Sequence, residues 1–170
     1  MTPADLLTDA FGRVLDDVEA VLDGLDEGTL AAPPAPGANP VAWLVWHLTR
    51  VQDDHVADVA GTEQVWHSGG YADRFGLPLE PGDIGFGHTA EQVAAVRAPA
   101  ELLRDYHRAT HEATLAFVRT VGPDDLDRVV DTRWDPPVTL GVRLVSVVND
   151  CTQHVGQAAY VKGLLERATR

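Results

Sequence analysis

At 170 residues the chain is long enough to bury one real core and short for two. Thirteen basic residues stand against twenty-six acidic ones, and a net charge of −13 repels phosphate backbones and anionic lipid, which argues against nucleic acid and membranes as partners. An apolar content of 45% suits a globular fold, no apolar run nears the roughly 20 residues that span a bilayer, and the lone Cys151 closes no internal disulfide.

The N-terminus, Met1 to Asp5, has neither the basic region nor the apolar run of a signal peptide, so a cytoplasmic protein is expected. Leu6, Leu7, Phe11, Val14, Leu15, Val18, Val21 and Leu22 recur every three or four residues. That predicts an amphipathic helix over Asp5 to Leu25, with Thr2 as its cap and Pro3 in its first turn. The Pro-rich stretch Ala32 to Gly37 then makes a turn. A second helix should open with Asn39 as cap and Pro40 at its first position. It runs to about Ala60, with Leu44, Leu48, Val51, His55 and Val59 on one stripe.

From Gly61 to about Pro99, glycines and prolines punctuate a long crossover, and Trp66, Tyr71, Phe75 and Phe86 should fold it back onto the rest. A connection of that length is uncommon and often functional. Within it, Thr89 and Gln92 form the capping box of a short helix. A third helix spans about Pro99 to Val121, its expected buried stripe being Leu102, Tyr106, Ala109, Ala113 and Phe117, and Gly122-Pro123 stops it. The last helix runs from about Thr139 to Ala168. Its β-branched start would also suit a strand, but the pattern continuing through Leu164 and Leu165 favours helix. The fold class is therefore an all-α four-helix bundle with a long crossover between its second and third helices, which need not be adjacent antiparallel neighbours.

Asp150 and His154 lie four apart, so both side chains point from one helical face. A third ligand would complete the open three-ligand site of a catalytic metal, and His47, early in the second helix, is placed to supply it. His55 is a candidate proton shuttle, fourth ligand or hydrogen-bonding partner for a carboxylate, and Asp54 either orients the His47 ring or faces solvent. Arg143, seven residues before Asp150, is a candidate clamp for a substrate carboxylate, or else a structural partner for Asp150 or Asp54. Gln157 and Tyr160 are either ligand contacts or packing groups. His107 and His111 form a second pair four apart, but relative to the expected stripe they fall on the opposite face and read as surface residues, with an adventitious or interface metal site as the alternative. Cys151 reads as a small buried hydrophobe.

The run His154-Val155-Gly156-Gln157-Ala158-Ala159-Tyr160-Val161-Lys162-Gly163-Leu164 resembles the H-x-G-Q-x-x-Y-x-R-G-L ending of DinB-like proteins, and His47-Leu48 resembles their first histidine. The order of helices, Pro-rich turn and crossover agrees over nearly the whole chain. The resemblance implies a metal-binding bundle, often a homodimer, related to mycothiol-dependent maleylpyruvate isomerase and other low-molecular-weight-thiol transferases. In the isomerase branch a glutamate stands where this chain has Asp150, whose side chain is one methylene shorter. The implied cofactors are a divalent metal, Zn²⁺ first and Ni²⁺, Fe²⁺ or Mn²⁺ as alternatives, and a mycothiol-type thiol as co-substrate. The implied activity is S-transfer or isomerisation of a small electrophilic substrate. Metal-dependent hydrolysis and a non-catalytic binding bundle are the alternatives.

Overall fold

A computed structural model describes residues 1–168. Helix α1, Pro3–Leu22, begins as expected: Thr2 Oγ1 accepts the Asp5 backbone N–H at 3.2 Å while the Asp5 carboxylate accepts that of Thr2 at 2.8 Å. It ends at Leu22, short of the expected Leu25, and one turn, α2 (Glu27–Leu30), follows under the Asp26 cap. Helix α3, Val41–Ala60, starts one residue later than the sequence predicts: Pro40, not Asn39, is the N-cap residue, and no side chain caps it. Sixteen of its 20 residues are buried, so it is the central helix and not an amphipathic one.

The crossover contains three short helices, α4 (Val65–Ser68), α5 (Tyr71–Phe75) and α6 (Ala90–Ala95), the last with the expected Thr89/Gln92 capping box. Trp66, Tyr71 and Phe75 pack into the core, but Phe86 is 92% exposed and anchors nothing. Helix α7 spans Ala100–Val118. Two short antiparallel strands, β1 (Val129–Asp131) and β2 (Val138–Thr139), precede α8, Leu140–Ala168, and are too short to leave an alternating pattern in the sequence.

Helices α1 and α3 each pack on both α7 and α8. Side-chain partners give the directions. Thr49 meets His107 and Gln52 meets Thr114, so α3 and α7 are parallel neighbours. His47 faces His154 and Gln52 meets Cys151, so α3 and α8 are antiparallel. Parallel neighbours explain the crossover, because the chain must return the length of α3, about 30 Å, before α7 can begin. No described helix is long and apolar enough to cross a membrane.

Asp53 ties the crossover down. Its carboxylate accepts the backbone N–H groups of Val65 and Trp66 at 2.8 and 2.7 Å, at the start of α4, and the Tyr106 hydroxyl at 2.8 Å. Arg50, fully buried, reaches from Asp53 to Gln64, Tyr106 and the Asp83 carbonyl. These bonds pair the two buried charges, Arg50 and Asp53, with groups of the crossover and of α7.

Candidate metal centre

His47 projects from α3 toward Asp150 and His154 on α8. One ligand atom from each of the three lies within 4.8 Å of the others, and this is the single such group of three among the described residues. His47 Nδ1 donates to the carbonyl of Ile84, a group that can only accept, so its proton is on Nδ1 and Nε2 carries a free lone pair. His154 is fixed likewise, with Nδ1 at 2.9 Å from Gln157 Oε1 and Nε2 at 3.6 Å from Asp150 Oδ1. The other Asp150 oxygen, Oδ2, is buried and has no hydrogen bond among the described residues. Burial, the largest influence, pushes the His47 pKa below its usual value, which keeps the ring neutral as a metal ligand requires. Two oriented imidazoles and a carboxylate with a bare oxygen fit a divalent cation such as Zn²⁺. The shorter Asp150 side chain still reaches the group.

The chain matches the mycothiol S-transferase family model over residues 6–166. It belongs to that family. A solved structure described as the conserved protein of a locus from Enterococcus faecalis is 32% identical. It aligns with a TM-score of 0.89 over 97% of this chain and 98% of its own. Family membership and the DinB-like bundle expected from the H-x-G-Q run therefore agree. No curated protein gave a match.

The other candidates of this mycothiol S-transferase family member fall outside the three-residue group. His55 is half-buried, with Nδ1 3.4 Å from Asp54 Oδ2. Burial is first in lowering its pKa and the Arg143 charge second, while Asp54 and Asp150 oppose them. His55 thus senses both the metal-site carboxylate and Arg143. Asp54 accepts from Gln64 at 2.8 Å and does not orient His47. Arg143 pairs with neither Asp150 nor Asp54: its Nη2 lies 2.9 Å from Asp131 Oδ2, at the end of β1. Arg133 holds the same carboxylate, and its hydrogen bonds pull the Asp131 pKa far down. Tyr160 is 67% exposed, so it does not pack between helices, whereas Gln157 orients His154.

Cys151 is buried, donates weakly to the Leu48 carbonyl, and has its pKa raised by desolvation, so it is no nucleophile. His107 and His111 are a correction. They are 1% and 7% exposed and belong to the inner face of α7, with Tyr106, Thr110 and Thr114. Of the expected stripe Tyr106 is fully buried, Leu102, Ala109 and Phe117 only partly and Ala113 not at all, because the inner face is largely polar, meeting Thr49, Gln52 and Asp53 of α3.

Sequence reasoning also missed the crossover's share of the site. Ile84 holds His47, and Gly85 lies against it: a Cβ there would stand 2.6 Å from His47 Nδ1 and 3.2 Å from both Trp43 and Trp46. Gly85 has φ +95°, a conformation that side chains rarely adopt. A glycine among several in a loop without periodicity gives no signal of this. Nearby, Asp83 and His88 bond each other, and His88 accepts from Trp43.

Proposed function

We propose that this protein transfers a low-molecular-weight thiol of the mycothiol type to a small electrophile, using a divalent metal, Zn²⁺ foremost, held by His47, Asp150 and His154. The observation that carries this reading is the convergence of two free imidazole nitrogens and a carboxylate in a chain of the mycothiol S-transferase family. A bound divalent ion supplies the Lewis acidity that makes a thiol a thiolate at neutral pH. His47 and His154 present fixed lone pairs, and Asp150 supplies the negative charge that balances a cation. His55, half-buried and electrostatically linked to Asp150, takes the role of carrying the thiol proton toward solvent. Arg143, held by Asp131 beside His55, takes that of attracting an anionic group on the electrophile.

The test is elemental analysis of untagged protein and of His154→Ala, followed by conjugation of mycothiol to a fluorogenic haloalkyl electrophile. About one ion per chain in the wild type, little in the variant, and turnover that needs thiol would support the proposal. Metal-dependent turnover without thiol would replace it with hydrolysis. Metal-free wild type after Zn²⁺ reconstitution would end it.

A further inference from the structure

Trp43 stands one helical turn before His47, and its ring touches the imidazoles of both helices. It stacks on His47 with centroids 4.6 Å apart at 15°, and meets His154 edge-on at 6.3 Å and 87°. A tryptophan that merely filled the core would explain those contacts. It would not explain what holds the indole. Trp43 Nε1 donates to His88 Nδ1 at 3.0 Å, and His88 Nε2 lies 2.9 Å from both Asp83 oxygens. Asp83 in turn accepts the Gly85 N–H at 2.7 Å, and its carbonyl accepts from buried Arg50 at 3.1 Å. Trp46, three residues on, is buried still more deeply and itself stacks on His88 at 5.8 Å, yet its indole N–H has no partner among the described residues. Core packing here does not demand a bonded indole. The relay also runs through the crossover segment that supplies Ile84 and Gly85 to His47.

We infer that Trp43 is a positioning residue of the metal centre, clamped by His88 and Asp83, which together with Ile84 and Gln157 sets the orientation of the His47 and His154 rings. The inference rests on the metal-site reading above and concerns groups beyond the three ligands. Metal-ligating imidazoles depend on such outer contacts, whose loss typically weakens metal affinity roughly 10–100-fold. Both Trp43→Phe, which keeps a ring but loses the N–H, and His88→Phe, which removes the acceptor, should show that loss. If they act through one relay, the double variant loses no more than the weaker-binding single variant.

The experiment measures Zn²⁺ affinity by competition with a chromophoric chelator, and the visible absorption of Co²⁺-loaded protein, in wild type, the two single variants and the double. Leu103→Ala, a core truncation on α7 that removes none of the relay's hydrogen bonds, serves as the control that lowers stability. Expected are weaker Zn²⁺ binding and an altered Co²⁺ spectrum in both relay variants, and wild-type values for both in Leu103→Ala. Wild-type affinity and spectrum in the relay variants would overturn the positioning role while leaving the metal site standing. Equal losses in Leu103→Ala would also overturn it, as a general effect of stability. Failure of the wild type itself to bind either metal would overturn the site reading along with it.

Discussion

Helices α7 and α8 each carry titratable residues four apart, His107/His111 and Asp150/His154, and the fold uses them oppositely. On α8 the pair sits at the edge of the core, its side chains 33% and 20% exposed, opposite His47. On α7 the histidines are sealed in. Thr49 gives its proton to the Val45 carbonyl, so His107 Nδ1 must donate to Thr49, and among the described residues no carboxylate joins the pair in a metal-binding group. Spacing aims two side chains the same way; the opposing helix decides what they do.

The largest expected effect separates the pairs directly. His154→Ala should reduce metal from about one ion per chain to near none by elemental analysis, whereas His107→Asn should leave it unchanged. Equal loss from both would erase the distinction. Gly85→Ala comes next, since its Cβ must displace the crossover or the His47 ring. It should destabilise by about 1–3 kcal/mol in urea unfolding and weaken Zn²⁺ binding at least about tenfold.

Acid tests the sealed pair. Burial lowers the His107 pKa to about 3, below the 6.5 of an unfolded histidine. The unfolded chain therefore binds a proton the folded one refuses. Its stabilising contribution is complete above pH 6.5 and falls as pH drops toward 3, by up to about 1.4 kcal/mol per unit. His107→Asn should flatten the acid limb of stability against pH by that one proton, and an unchanged slope would deny the burial. The smallest effect belongs to a third pair of the same spacing, Asp9 and Arg13 on α1, which bond each other in solvent. Arg13→Ala should not measurably move the melting temperature.

The bundle was legible because it rests on helical repetition: apolar spacing marked the four long helices, and the face shared by Asp150 and His154 marked the candidate centre. Burial of His107 was hidden because hydropathy marks inner faces by apolar residues, and the inner face of α7 is polar. A usable sign was present on α3, where Thr49, Arg50, Gln52 and Asp53 interrupt an apolar helix and require partners inside. The contributions of Ile84, Gly85 and His88 were illegible because a crossover without periodicity has no face to read. Arg143 was placed on a suitable side of its helix, but its partner came from a strand too short to show in the pattern.

The three candidate ligands come from helices more than a hundred positions apart in sequence, and the carbonyl that fixes His47 comes from the loop between them. An unfolded chain cannot gather them, so an ion held there binds the folded protein almost exclusively. Its binding energy then becomes folding energy, about 2.7 kcal/mol when free ion is a hundredfold above its dissociation constant. Metal supply would in this way govern how long the protein survives proteolysis.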